Sequence, residues 1–452
     1  MSVLRVSNLF CVDTQGCTLF DKVVMIALIL MPILQIYALL GINLSSLVVG
    51  SLIVYGFIFK KYKVANKVMP QSLWRYFIYF IGITIFSGIY NLVEMPNRVA
   101  GVLFMVAQYV MFFACAEKHF FYQAYRFLSI IAIVFFFFQE LSFAAVGVRI
   151  PGIIPFLPLD PTYAAMDAFG SFAEYLAIVN RSTAFFSEPA HFAQFLLPFL
   201  AMSLYWEKGI LRWIFAGSTC VALFLLESGN GIVGLCCILS VYFLHLLKQG
   251  SGFAKFAIIV LALFAVIYLP NVLGENESSQ YYSERSSEIT MSSSSGDVHS
   301  GFYRIYRGFY VYAEYNPIEM LFGINNFSEI ESKIRQSSVS YLFPKGDMYF
   351  NVVQAFLIKT GIIGLIFFIF MMIELWRGNN VCGKSIIFTF FIFSFMSALH
   401  MSSIMAVYFI LAYFFIKEKK LVTQKYPGYV QQNNSHTGGL DSGLSTNDGA
   451  DS

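Results

Sequence analysis

The chain has 452 residues, of which 58% are hydrophobic, 18% aromatic and only 12% charged. Ordinary globular domains carry about a quarter charged residues, so this composition, with a mean hydropathy of +0.68, excludes a water-soluble domain and places the chain in a bilayer. A net charge of +3, from 29 basic and 26 acidic residues, supplies no global field for nucleic acid.

The first 22 residues contain Cys11, Asp13 and Asp21 and show no cleavage site, so they read as a retained cytoplasmic N-terminus and not as a signal peptide. Apolar runs then recur at the roughly 17–25 residues with which a helix crosses about 30 Å of hydrocarbon. They predict about twelve transmembrane helices: 23–41, 42–59, 72–93, 98–116, 121–146, 189–206, 210–227, 230–247, 254–272, 351–375, 385–400 and 402–417. The runs are apolar all round, which excludes the alternating strands of an outer-membrane barrel. The expected class is therefore an all-α integral membrane protein. Its helices fall into groups at 23–146, 189–272 and 351–417, separated by two long loops at 147–188 and 273–350 and followed by a polar, disordered tail at 418–452.

Basic residues set the orientation. Lys60, Lys61, Lys63, Lys67, Lys118, Arg126, Lys208, Arg212, Lys248, Lys255, Arg377 and Lys384 fall on one side, and the short loops opposite hold only Arg98. Trp74, Trp206, Trp213 and Trp376 cluster at the same lysine-rich helix ends, at headgroup depth. Both termini are expected in the cytoplasm and both long loops outside. None of the seven cysteines lies in a long external loop, so no disulfide framework is expected. Cys236 and Cys237 are adjacent in an apolar run with no histidine at ligand spacing, which gives no metal site. A phosphate-binding P-loop, a dinucleotide-binding glycine motif and a zinc-binding HExxH are all missing, so no cofactor is expected.

The first long loop ends in Asn180-Arg181-Ser-Thr-Ala-Phe185-Phe186-Ser187-Glu188-Pro189-Ala-His191. Ser187, Glu188 and Pro189 fit an N-cap and first turn, where an acid also complements the helix dipole. Capping leaves Arg181 and the Phe pair unexplained, and an acid close to a base at a bilayer boundary marks a candidate site. A single histidine on an apolar helix, such as His191, reads first as a hydrogen-bonded packing residue.

In the second loop, 279–301 reads as a flexible linker, and Phe302-Tyr303-Arg304-Ile305-Tyr306-Arg307 follows it. Arg304 and Arg307 are three apart, so on a helix they share a face. Their forks match phosphate oxygens, as a diphosphate clamp or as an interfacial helix touching lipid headgroups. The loop closes with Lys345-Gly346-Asp347, where Asp347 is either a helix-start acid or a catalytic carboxylate. Lys359 follows about two turns below the surface, able to snorkel or to join a site. Glu140, near the outer end of the fifth helix, shares the ambiguity of Asp347.

In these features the chain resembles the Wzy-type O-antigen and capsule polymerases and their relatives, the O-antigen ligases. The likeness rests on the helix number, the two long outer loops, the Arg181–Phe186–Glu188–Pro189 segment, Glu227-Ser228-Gly229-Asn230-Gly231 through Gly234, and the Arg304/Arg307 to Phe322-Gly323 stretch before Gly361–Gly364. It covers about 147–375. Ligase relatives often carry a His-Asn pair at the last loop's exit, where this chain has Gly346-Asp347, so the polymerase is favoured.

The resemblance implies a GT-C-like, metal-independent glycosyltransferase of the bacterial inner membrane. It would transfer a growing glycan from undecaprenyl diphosphate to a fresh lipid-linked repeat unit. The pathway's flippase and chain-length regulator are the implied partners, with no nucleic acid. On this reading Arg181, Arg304, Arg307 and Lys359 bind the diphosphate, and Glu188, ahead of Asp347, takes the proton of the attacking hydroxyl. The alternative is a lipid-linked oligosaccharide flippase, which should carry its charges within helices; here they gather in loops.

Overall fold

The computed structural model describes residues 17–59, 69–88, 93, 95–160, 181–249, 300–343 and 349–425. The N-terminal residues before 17, the run at 254–272, nearly all of the 279–301 linker, Asp347 and the tail after 425 lie outside them. In chain order the helices are α1 (Leu19–Leu34), α2 (Leu44–Ile58), α3 (Gln71–Gly88), α4 (Met95–Cys115) and α5 (Lys118–Val146), then α6 (Pro189–Tyr205), α7 (Gly209–Leu225) and α8 (Gly229–Gln249). The second long loop supplies α9 (Ser300–Ala313), α10 (Pro317–Phe322) and α11 (Phe327–Gln336) before α12 (Val352–Arg377), α13 (Val381–Phe393) and α14 (Ser403–Lys425). A two-stranded hairpin, β1 (Ala38–Leu39) with β2 (Ile42–Asn43), turns the chain between α1 and α2.

The apolar helices make this a membrane-embedded, mainly α-helical chain, but not one of twelve full spans. Among the described residues α4, α5, α8 and α12 are long and apolar enough to cross a membrane, whereas α2, α7, α13 and the Ser403–Ile416 part of α14 are shorter apolar helices. The shortfall has one local and one long-range cause. Proline removes a backbone donor, and α1 ends at Leu34, just after Pro32. The predicted run 385–400 stops being helical at Phe393, because the carbonyls beyond it bond elsewhere.

α6 forms the centre of the bundle, buried on every side from Phe192 to Leu204. It packs on α5, α7, α8, α13 and α14. One end of the bundle carries the tryptophans: Lys118 Nζ lies 4.7 Å over the Trp206 ring, which also meets Tyr122 and Phe415. At that end the Glu374 carboxylate receives Gln71 N–H and Ser72 N–H at 2.9 Å each, along with the Ser72 hydroxyl. A side chain from α12 thereby caps α3. Glu374→Ala is expected to cost about 1–2 kcal/mol, read as a lower unfolding midpoint in detergent.

The opposite end, carrying the long loops, has a second small core. There α9, α11 and the first turns of α12 bury Val311, Tyr315, Ile330, Ile334 and Ile358 together. α12 then breaks at Gly361, whose φ of 67° belongs to the left-handed region. The break frees backbone carbonyls that must find donors. Ile358 C=O accepts Ile324 N–H at 2.7 Å, and Thr360 C=O accepts the Tyr79 hydroxyl at 2.8 Å. The loop after α10 thus plugs a gap in a helix about forty residues further on.

Candidate functional site

The loop end is organised around 394–402, the non-helical segment between α13 and α14. A helix start leaves N–H groups without partners inside the helix. Here Val352 N–H donates to Ser397 C=O at 3.1 Å and Val353 N–H to Ser394 C=O at 3.0 Å, while Asn351 Nδ2 donates to Phe395 C=O at 2.9 Å. The Ser397 hydroxyl accepts from Gln194 Nε2 of α6 at 3.1 Å and from Asn230 Nδ2 of α8 at 3.0 Å. All three side chains are buried. Ser397→Ala leaves two buried amides without this acceptor, so a loss of about 1–3 kcal/mol is expected in the unfolding midpoint.

The first-loop segment lies beside this hub. An Arg181 Nη1–H donates to the backbone carbonyl of Glu227, three residues before Asn230. Arg149, in the turn after α5, donates from Nε to the Ser182 hydroxyl at 3.2 Å and lies 3.8 Å from the Glu140 carboxylate. Glu140 is thus placed as an ion-pair partner. One guanidinium therefore extends from this segment to the Glu227 carbonyl, and a second is anchored on the next residue, Ser182. Gln139 fixes that segment, accepting Ala184 N–H at 2.8 Å and donating to Ile150 C=O at 2.7 Å. Ala184 (φ 51°), Glu227 (φ 49°) and Met401 (φ 54°) are all left-handed without being glycine. Such conformations persist only where surroundings over-determine them, and here they border the same site.

Phe186 is buried against Phe192 and Phe195, whereas Phe185 stacks on Phe135 at 4.5 Å. Phe185 helps line a largely apolar groove of about 460 Å³ along α5, formed with Arg126, Phe127, Ile130, Val134, Phe135 and Phe138. Glu188 stands at the N-cap of α6, exposed, with no capping hydrogen bond from its side chain, and Pro189 takes the first helical position. The Ser187 hydroxyl pairs instead with His191 Nδ1 at 2.8 Å, which Gln35 Nε2 approaches to 3.4 Å.

The second-loop residues are held differently. Arg304 and Arg307 share α9 as their spacing predicts, but the Arg304 side chain lies outside the described residues. Arg307 is 4% exposed. Its Nη2 donates to Tyr349 C=O at 2.9 Å, and its guanidinium lies 4.6 Å over Phe343. It ties the loop unit to the segment leading into α12. Lys359 sits half-buried two residues before the Gly361 break. His400, between α13 and α14, meets Tyr76 Oη at 3.2 Å and packs edge-on against Phe356.

Comparison with protein-family models and with curated proteins gave no match. The site therefore stands on its own geometry. Sequence reasoning missed Arg149, His400 and Ser397. Arg149 had one signal, a lone base in the turn after a long apolar run. Ser397 and His400 lie within a run that reads as uniform helix, and nothing local marks them.

Proposed function

We propose that the protein is a membrane glycosyltransferase that polymerises lipid-linked oligosaccharide repeat units, with a GT-C-like architecture. On this reading the loop end faces outward from a bacterial inner membrane and both termini are cytoplasmic, in line with the lysine-rich loops at the tryptophan end. The observation that supports the reading is that Arg181, and Ser182 which receives Arg149, belong to the same short segment as Phe185, a wall of the apolar groove along α5. A lipid diphosphate has that polarity: an isoprenoid chain for the groove and phosphate oxygens for the forks.

In the reaction a hydroxyl of the incoming repeat unit attacks the anomeric carbon of the growing glycan. The bond from that carbon to the diphosphate oxygen breaks, and the departing charge is met by Arg181, with Arg304 and Lys359 as further cations. Glu188, unspent in capping, accepts the hydroxyl proton, and Asp347 is the second candidate base. Arg307 ties the second loop to the segment entering α12. Glu188→Gln should abolish elongation while leaving insertion intact, whereas unaltered polymer would remove Glu188 as the base.

Deletion of the protein in its host tests the reading. The expected result is accumulation of single repeat units on surface-exposed lipid. Loss of all surface-exposed repeats would indicate a flippase and overturn the proposal.

A further inference from the structure

The second loop presents an apolar face that its own small core leaves uncovered. Ile318, Leu321 and Phe322 on α10 follow the i, i+3, i+4 pattern of one helix face, and all are exposed, Ile318 at 68%. Phe327, just beyond, is 67% exposed. The other sides of α10 are committed. Met320 packs against the loop core, and Glu319 accepts from Asn316 N–H and pairs with Lys333 Nζ at 2.9 Å. Exposed apolar residues scattered singly mean little, but a single-faced cluster marks an interaction surface.

The position of α10 identifies the partner. The Leu321 carbonyl abuts Gly361, where an added Cβ would lie 2.2 Å from it. Beyond that point α12 carries the stripe Ile362, Ile366, Ile369 and Phe370, exposed at 42–54%, along a helix long and apolar enough to cross a membrane. On the other flank Asn325 Nδ2 donates to Thr84 Oγ1 of α3 at 2.5 Å, next to exposed Ile85 and Phe86. The apolar face of α10 thus lies beside α12 at Gly361 and beside α3 through Asn325, and both of those helices carry exposed apolar side chains nearby.

We propose that α10 and Phe327 are seated in the bilayer, so that the second long loop dips into the lipid beside the α12 break instead of standing wholly in water. An interfacial helix binds in this way, apolar face down, with its charged flank toward the headgroups. Glu319 and Lys333 supply that flank.

The test uses the wild-type chain in phosphatidylcholine–phosphatidylglycerol vesicles with an aryl diazirine dissolved in the lipid, followed by peptide mapping. Carbene insertion at Ile318, Leu321 and Phe322 is expected at a level similar to Ile366 and Phe370. Tyr341, exposed at 76% in the same loop, should be labelled roughly tenfold less. Insertion at Ile366 and Phe370 with none at 318–322 would overturn the proposal and assign this face to water or a protein partner. As an independent measurement, Leu321→Cys should react roughly tenfold more slowly than Tyr341→Cys with a water-soluble maleimide in the same vesicles. Equal rates would also overturn it.

Discussion

Replacing Arg181 with alanine is expected to reduce polymer formation by roughly 10²–10³-fold, with the protein still inserted and folded. A preorganised cation aimed at developing charge contributes that much when water is excluded around it. The side chain is preorganised here, because one donor is fixed on the Glu227 carbonyl while a guanidinium carries further donors in a rigid fork. The structural loss includes the charge-assisted hydrogen bond to the Glu227 carbonyl, about 1.5–3 kcal/mol, so polymer is compared at equal amounts of folded, inserted protein. Arg181→Lys keeps the charge but loses the fork, so it should restore only part of the activity. Normal chain lengths from the alanine variant would end the role assigned to Arg181.

Gly361→Ala and Gly323→Ala are expected to be the most destabilising single changes at the loop end. Both positions are left-handed, with φ of 67° and 76°. At Gly323 an added Cβ would lie 2.4 Å from Thr360 N and 2.5 Å from Gly361 N. These neighbours are backbone atoms and cannot rotate away as a side chain would. A left-handed alanine alone costs about 1–2 kcal/mol, and separating the two backbones adds the loss of the Ile324–Ile358 hydrogen bond. A total of about 3 kcal/mol or more should appear as a lower midpoint and faster proteolysis between α9 and α12. Thermal unfolding in detergent checks this, and an unchanged midpoint would show that the loop does not lock into the break.

The helices were legible because apolar run length reports directly on membrane-crossing segments. Runs such as 98–116 and 121–146 correspond to α4 and α5 within a few residues. Interruptions were not legible. Gly361 breaks α12 because Leu321 and Ile324 press on it from a distant stretch, and α13 ends at Phe393 because the carbonyls of 394–397 cap the start of α12. Both causes are long-range, so no window along the chain contains them.

At the candidate site, Arg181 and Glu188 stood out because capping could not account for everything around them. Arg307 stood out for its spacing from Arg304, and what the spacing could not show is the Nη2 bond to the Tyr349 carbonyl, a partner forty-two residues away. The pairing of Ser187 with His191 crosses the start of α6, from the residue before the N-cap to the first turn. It was obscured because the N-cap reading assigned Ser187 to the backbone instead.

The most direct measurement is polymerisation by the purified full-length protein in lipid vesicles, supplied with a defined undecaprenyl-diphosphate-linked repeat unit and resolved by gel electrophoresis. The account predicts a ladder of products spaced by one repeat, formed without added metal or nucleotide and lost in Arg181→Ala. Recovery of the repeat unit as monomer alone, from folded protein supplied with the sugars of its own host, would contradict it.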